Sequence, residues 1–406
     1  MKKVLIASTA LVAAGLLTPG VAAASEKIKL QLGGYSKWWV VGKWNDDNYQ
    51  NSIATTAAVN PASYNNVDVI GDNEIHFVGS TTLDNGLKVG IQVELEAGGH
   101  SDMSSDTIDA SFVFVEGGFG KVMLGAHNNG TYLLHVMAPD AAANWGEGGL
   151  LQSGVAIAQP AAVKSMPYWN ANTGAAAASG NTTNIVTDNK SEKITYVAPT
   201  FFGLTVGASY IPNLAEDTRA VTINDTEAYG AGALYANTFG GVGVKVSGGY
   251  VAYDVNPGDG SAKTTDRSFE WSTGGQLSYA GFTLGGSFRK AQTNFVSQGT
   301  TGATSSGASS TVSAAGEAWD AGLSYANGPY AVSFAYFSSN TQGDFNSATS
   351  TGDDEIEIYQ VSAKYTMGPG VDLLGSIGHA EYTDETTNVS NNNKGWAVMT
   401  GLSLAF

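Results

Sequence analysis

The side chains that could carry chemistry are sparse in this chain. Five histidines stand at positions 76, 100, 127, 135 and 379, and the sequence has no cysteine. None of the histidines has the spacing of an H-E-x-x-H zinc helix, and neither a Walker phosphate loop nor a G-x-S-x-G elbow is present. The sequence therefore predicts no catalytic residue, no metal site and no cofactor.

The charged side chains are few and mostly acidic. Among 406 residues there are 36 Asp and Glu against 19 Lys and Arg, which gives a formal net charge of −17. Such a balance leaves no basic stripe to neutralise phosphates, so we expect no nucleic-acid partner. A mean hydropathy of −0.06 excludes a helical membrane bundle, and the 10% of aromatic residues argues against disorder.

The N-terminus has the pattern of an export signal. Lys2 and Lys3 precede an apolar stretch over residues 4–17, and three alanines at 22–24 supply small residues for cleavage. We predict a signal peptide over residues 1–24 and a mature chain over 25–406. An uncleaved anchor is the alternative, but the apolar run is shorter than the about 20 residues that span a bilayer.

The elements that must position any functional side chain are strands. Apolar Leu87, Val89 and Ile91 alternate with polar positions, and the period of two continues to residue 97. An Asp-Asn-Gly turn at 84–86 links this segment to a similar one before it, which predicts a hairpin.

The same construction recurs over the whole mature chain. Seven short turns alternate with eight longer polar segments, of which the longest spans residues 126–190. Fifteen connections imply sixteen antiparallel strands with short turns at one end and long loops at the other. This asymmetry is typical of outer-membrane β-barrels.

The composition of the two strand faces favours lipid on the apolar side. The apolar positions of residues 242–250 carry no charge, aromatic residues such as Tyr279 and Tyr325 fall at strand ends, and the opposite face is small or ionic. Sixteen strands would enclose an aqueous channel. Segments 108–116, 226–236 and 330–338 show weak contrast between their faces.

Three local motifs carry a resemblance to a known family. They are VEGGFGKVMLG at 115–125, ITYVAPTFFGL at 194–204, and a last strand of alternating apolar residues ending in Phe406. With the strand count, the chain resembles the sixteen-stranded general porins of Gram-negative outer membranes. The resemblance implies an all-β transmembrane barrel in outer-membrane lipid, a homotrimer, and recognition of the C-terminal strand ending in Phe406 by the barrel-assembly machinery.

The resemblance also implies an inward-folded third external loop at 126–190, which narrows the pore. It places Asp140 and Glu147 of this loop at the constriction. The alternative is a loop that projects into solvent, and for its second half neither arrangement is favoured. Family members usually carry an arginine cluster opposite this loop, but here only Arg219, Arg267 and Arg289 exist.

Alternation by itself assigns charges to the lumen. We expect the lumen charges to include Glu74, Glu94, Glu96 and Arg289, and we nominate Lys37, His76 and Lys245 as wall partners at the pore constriction. On the whole wall, alternation places eight basic side chains against five acidic ones, so we expect the excess acid in the loops. The basic residues are Lys29, Lys37, Lys88, Lys121, Lys193, Lys245, Arg289 and Lys364, and the acidic ones are Glu74, Glu94, Glu96, Asp320 and Asp372. Acidic loops at the mouth would attract cations, which predicts a weak cation preference.

The functional prediction is a non-enzymatic channel for passive diffusion of small hydrophilic solutes and ions. A substrate-specific outer-membrane channel is the alternative. Two rivals are weaker: an outer-membrane hydrolase would need a Ser, His and acid constellation at the rim, and an adhesin would occlude its lumen. Stable single-channel conductance would separate a channel from both.

Overall fold

The structure is a computed structural model that describes residues 27–56, 65–99, 108–146, 148–170, 175–178, 180–186, 190–214, 227–254, 266–297, 310–343 and 352–406. The predicted signal peptide over 1–24 lies outside these residues and stays a prediction. Glu147 also lies outside them.

Sixteen strands form one closed antiparallel barrel. The first eight are β1 Lys29–Asn45, β2 Val67–Thr82, β3 Lys88–Gly99, β4 Ile108–Gly117, β5 Gly120–Ala126, β8 Glu192–Val197, β9 Leu204–Ile211 and β10 Ala228–Phe239. The other eight are β11 Val242–Tyr253, β12 Ser268–Tyr279, β13 Phe282–Ser297, β14 Ser310–Asn327, β15 Tyr330–Gln342, β16 Asp353–Gly368, β17 Val371–Thr383 and β18 Asn393–Ala405. The predicted fold class is therefore confirmed, and the weak-contrast segments are strands β4, β10 and β15.

The remaining regular elements lie in connections. Strands β6 Pro167–Asn170 and β7 Ala175–Ala178 pair with each other between β5 and β8. Helix α1 spans Asp47–Thr56, helix α2 spans Gly130–Leu134, and a short 3₁₀ helix spans Val389–Asn391. None of the helices in the described part of the chain has the length and apolar character needed to cross a membrane.

Turns and loops separate to the two ends of the barrel, as predicted. Connections such as 240–241, 280–281 and 328–329 have two residues, and the alternate connections at the other end are longer. At 280–281 both Ala280 and Gly281 have positive φ, 49° and 88°. Two-residue hairpins with this twist need positive φ at both positions, so the residue pair fixes the register of β12 and β13.

The outer surface of the barrel is apolar and ends in aromatic belts. Leu284, Val398 and Leu402 are exposed on the outside. At the turn end Phe282 and Tyr325 contact each other with ring centroids 4.5 Å apart, and Tyr330 stacks on Tyr365 at 5.1 Å. At the loop end a run of neighbouring rings continues across five strands: Trp319, Tyr336, Tyr359, His379 and Trp396. Belts at both ends are what a bilayer-spanning barrel requires.

The buried core lies inside the barrel, where the connection between β5 and β8 enters the lumen. We call this connection, residues 127–191, L3. Its apolar side chains, including Trp145, Leu151 and Ile157, form one cluster with inward-facing residues of the wall such as Val41 and Phe337. The lumen is therefore filled on one side by L3 packed against the wall.

Candidate pore constriction

The first part of L3 is held by close approach to glycines of the wall. Asn129 caps helix α2, since its side-chain oxygen accepts hydrogen bonds from the amides of Thr131 (2.8 Å) and Tyr132 (2.9 Å). A Cβ on Gly249 would lie 2.8 Å from the Thr131 Cβ, and one on Gly232 would lie 2.9 Å from the Thr131 Cα. Only glycine at these wall positions lets α2 lie directly on β10 and β11.

The next part of L3 runs along the wall from β11 to β15 and is held there by hydrogen bonds. Its backbone amides donate to wall side chains: Val136 to Ser247 (3.0 Å), Ala138 to Asp320 (3.1 Å) and Ala141 to Ser333 (2.8 Å). These contacts join residues more than a hundred positions apart in sequence. They fix which side of the lumen the loop occupies.

Asp320 is the central contact of this run. Its side chain is buried, and its carboxylate accepts hydrogen bonds from the Ala138 amide, the Ser287 hydroxyl (2.7 Å) and the Trp145 indole (3.4 Å). The sequence places Asp320 on the lumen face but gives no sign that it anchors the loop. Its hydrogen-bond partners come from L3 and from a neighbouring strand.

Asp140, predicted at the constriction, lies on this docked segment. Its carboxylate accepts hydrogen bonds from the Ser333 hydroxyl (3.0 Å) and from the Asn144 amide (2.5 Å). These contacts tie the carboxylate of Asp140 to the loop and to β15. The second constriction residue of L3, Glu147, is not among the described residues, so its position stays a prediction.

The second half of L3 also lies inside the barrel. The side chain of Leu151 packs on β17 at Gly378, where a Cβ would come within 2.0 Å of it. The Tyr382 hydroxyl donates to the Leu151 carbonyl at 3.1 Å, and the Lys164 amide donates to Asp354 at 2.7 Å. Both halves of the loop therefore fold inward.

A buried ion pair holds the returning end of L3. Arg289 of β13 and Glu270 of β12 are both fully buried, and the guanidinium donates to the Glu270 carboxylate at 2.6 and 2.9 Å. Arg289 also donates to the carbonyl of Thr182 in L3 at 3.3 Å. Arg289, predicted as a lumen charge, thus faces inward, and its charge is compensated beneath the loop.

Two histidines of L3, the buried His127 and the half-buried His135, have no compensating anion among the residues that the structure describes. Burial, and after it the charge of Lys193, lowers the pKa of His127 to about 4. Burial and the charge of Arg289 lower the pKa of His135 to about 4. Both side chains are neutral at pH 7, since their pKa values lie far below it.

The wall opposite the docked loop carries a cluster of carboxylates. In the order of barrel strands β3 lies half-way round from β13, so the segment of L3 that runs along β11 to β15 faces β2 to β4 across the lumen. We call the five acidic residues there the acidic patch: Asp72, Glu74, Glu94, Glu96 and Asp109. Its ligand-type atoms approach closely, because those of Glu74, Glu96 and Asp109 all lie within 4.8 Å of one another.

Cations compensate only part of this patch. Lys37 lies 3.3 Å from Asp72, His76 lies 2.7 Å from Glu74, and Lys190 of L3 contacts Asp109. Burial lowers the pKa of Lys190, but the charge of Asp109 and the hydrogen bond to it outweigh burial and raise that pKa. Among the described residues that pair with it, two lysines against five carboxylates leave the acidic patch itself negative.

A barrel with one loop docked inside and a charged wall opposite it is the geometry of a restricted pore. The family model for the Gram-negative porin matches residues 7–385. The chain belongs to the Gram-negative porin family. It is an outer-membrane β-barrel channel and not an enzyme.

Solved porins share the fold of this porin at low sequence identity. A porin refined at 1.8 Å is 15% identical with a TM-score of 0.55, over 93% of this chain and 100% of that one. The anion-selective porin from Comamonas acidovorans is 15% identical with a TM-score of 0.57, over 94% and 100% of the two chains. OmpT of Vibrio cholerae in its trimer form is 12% identical with a TM-score of 0.55, over 95% and 100%. No curated protein matches the sequence.

The predicted site residues of this porin fall into two groups. Lys37, Glu74, His76, Glu94 and Glu96 lie together on β1 to β3. Asp140, Arg289 and Lys245 lie on the opposite side, where Lys245 of β11 is half-buried across from Gln276 of β12. Lys245 makes no ion pair with any residue that the structure describes.

Asp72, Asp109 and Lys190 were not predicted from the sequence as parts of the site. Asp109 is the extra residue of a β-bulge, because Glu94 pairs with Ala110 and Leu95 with Ile108. A bulge shifts the alternation of the strand and re-aims a side chain, so counting by twos gives the wrong face. Lys190 reaches the patch only because L3 returns beside β4.

Proposed function

We propose that this porin lets small hydrophilic solutes and ions diffuse passively across the outer membrane, with a weak preference for cations. The observation that carries the cation preference is the acidic patch on the wall that faces the docked loop. In a narrow, low-dielectric passage, an excess of one charge sign raises the local concentration of ions of the other sign.

We place the source of the preference on the wall, whereas the sequence-based expectation placed it in the loops. That expectation put the excess acid in the loops and a basic majority on the wall. The acidic patch instead lies on the wall, since Asp72 and Asp109 add to Glu74, Glu94 and Glu96. The Comamonas porin is described as anion-selective, but at 15% identity its selectivity does not transfer to this chain.

A reversal-potential measurement tests the preference. Purified protein in a planar bilayer under a KCl gradient should show a potential of the sign given by K⁺ permeation. Glu74→Gln and Glu96→Gln should each reduce that potential. Glu317→Gln is the matched control, because Glu317 is on the rim with its side chain 53% exposed, paired to Lys290 at 3.8 Å. Anion preference in the unaltered protein would reject the proposal.

Passive diffusion is separated from a substrate-specific channel by liposome swelling with sugars of graded size. A swelling rate that falls smoothly with sugar size to a cutoff supports a general pore. In such a pore the space that L3 leaves open sets the largest sugar that can pass. Saturation by one sugar among others of equal size would instead favour the dedicated channel.

We also propose that the chain assembles as a homotrimer in outer-membrane lipid and that its last strand is read by the assembly machinery. The trimer form of OmpT supports the first part. For the second, Phe406 is exposed, and its backbone exchanges hydrogen bonds with Gly34 at 3.0 and 3.2 Å. Chemical cross-linking in detergent tests the trimer, and Phe406→Ala should lower the yield of assembled barrel.

A further inference from the structure

A histidine and two glutamates meet on the lumen face of β2 and β3. Glu74 and His76 are two positions apart on β2, and Glu94 of β3 is the cross-strand partner of His76. One ligand-type atom from each of Glu74, His76 and Glu94 lies within 4.8 Å of the other two. The sequence spacing gives no sign of this group, because pairing of the strands brings Glu94 to the other two.

Neighbouring side chains orient both carboxylates, and that of Glu74 keeps one oxygen facing the histidine. The Tyr35 hydroxyl donates to Oε1 of Glu74 at 2.8 Å, while Oε2 of Glu74 lies 2.7 Å from Nε2 of His76. The Gln92 amide donates to Oε1 of Glu94 at 2.5 Å. Such outer hydrogen bonds hold ligating carboxylates in position and raise metal affinity.

The donor set selects a class of ion. One imidazole nitrogen with two carboxylates suits Zn²⁺ and its neighbours in the transition series, whereas Mg²⁺ prefers oxygen ligands alone. Bonds of about 2.0–2.2 Å to each donor require that His76 and Glu74 exchange their mutual hydrogen bond for the metal and that the three donor atoms, which lie within 4.8 Å of one another, close in around the ion. The proton they share leaves to solvent, and lumen water completes the coordination.

The surrounding charge favours a dication at this place. Asp72, Glu96 and Asp109 surround the three donors, and Lys37 and Lys190 compensate two of these three acids. The patch therefore keeps negative charge for a further cation after its lysines are counted. Lys190 opposes binding of a dication, because its positive charge also interacts with the carboxylates of Glu74 and Glu94.

We propose that Glu74, His76 and Glu94 form a binding site for a divalent transition-metal ion of the Zn²⁺ class on the lumen wall. A bound ion brings two positive charges and the departing proton takes one away, so the acidic patch becomes less negative by one charge and cation permeation falls. The binding part stands independently of the proposed function, whereas the effect on permeation rests on it.

Calorimetric titration of the full-length detergent-solubilised protein with ZnCl₂ tests binding, with MgCl₂ as the comparison ion. We expect one Zn²⁺ per chain and no comparable site for Mg²⁺. His76→Gln and Glu94→Gln should each abolish the site, and Tyr35→Phe should weaken it about 10- to 100-fold as a positioning residue. His379→Gln is the matched control, because His379 lies in the outer aromatic belt between Tyr359 and Trp396.

Heat-modifiable electrophoretic mobility shows that each variant is a folded barrel, and the two ligand variants provide independent tests. Absence of Zn²⁺ binding, unchanged binding in both folded ligand variants, or equal binding of Mg²⁺ would overturn the site. In the last case the patch is only a diffuse negative surface. In planar bilayers Zn²⁺ should lower K⁺ conductance of the unaltered protein and not of His76→Gln. Binding without any effect on conductance would leave the site standing and reject the cation path along this wall.

Discussion

The position of L3 against the wall makes a sharp prediction for Gly274. This glycine lies on the inward face of β12, and a Cβ added to it would lie 1.8 Å from the carbonyl oxygen of Val136. Real Cβ atoms essentially never approach closer than 3.0 Å. In Gly274→Ala the loop backbone must therefore move away from the wall until that distance grows from 1.8 Å to at least 3.0 Å.

The loop yields rather than the wall. Strand β12 is hydrogen-bonded along its length to β11 and β13. The backbone amide of Val136, in contrast, donates one hydrogen bond to the wall, to the Ser247 hydroxyl at 3.0 Å. Overpacking of this kind costs about 1–3 kcal/mol, which a sixteen-stranded barrel tolerates. We expect a folded barrel whose L3 stands further into the lumen.

Single-channel conductance in 1 M KCl is the assay, and Gly274→Ala should conduct less than the unaltered protein. Gly243→Ala is the matched control, because it adds the same methyl group to the inward face of neighbouring β11. There the nearest atom is the Ser278 Cβ at 3.5 Å, an ordinary contact. Equal conductance of Gly274→Ala and Gly243→Ala, both as folded barrels, would refute the docked position of the loop.

Three further changes test other parts of the structure. Because the pKa values of His127 and His135 fall to about 4 in the folded state against about 6.5 unfolded, their contribution to L3 anchoring is complete above pH 6.5. It is lost as the pH falls towards 4, so protease cleavage within L3 should increase over that window, and replacement of both histidines by Asn should flatten the profile. Glu270→Gln leaves Arg289 buried without its anion and should cost about 3–5 kcal/mol, measured as a lower unfolding temperature in detergent; an unchanged temperature would mean that the pair is not buried. Leu284→Arg on the outer face should cost about 2–4 kcal/mol in folding into lipid vesicles, and no loss would contradict lipid contact at this position.

The barrel itself was predictable because its signal is local and repeated. Alternation in β3 and β18 depends on the residues of each strand alone, and the turn at 84–86 depends on its Asn-Gly pair. Segments with weak contrast, such as β10, still became strands, because two paired neighbours impose extended backbone on the strand between them. The number of strands was predicted by counting the turns and loops between them, and this count does not depend on the alternation within any one strand.

The path of L3 was not predictable from the sequence, because its contacts are made by small residues and by distant partners. Helix α2 can lie on the wall because Gly232 and Gly249 have no side chains there. The sequence of the loop itself gives no sign of this contact. Alternation assigns Asp320 to the lumen face, but it does not show that the Ala138 amide of L3 donates a hydrogen bond to its carboxylate. Asp109 was not predicted for a different reason. It is the extra residue of a β-bulge, which reverses the alternation of inward and outward side chains in β4.

The seam between β1 and β18 has a consequence for the order of assembly. Every other adjacent pair in the barrel joins strands that follow each other along the barrel sequence, and only this pair, with Tyr35 opposite Ala405, joins its two ends. Hairpins can accordingly zipper one after another at little cost in loop entropy, while the curling sheet keeps two unpaired edges until the seam forms. An intermediate that has not yet formed the β1–β18 seam would be an open sheet with two unpaired edge strands. Those edges are where a misassembled barrel would pair with a strand of another chain.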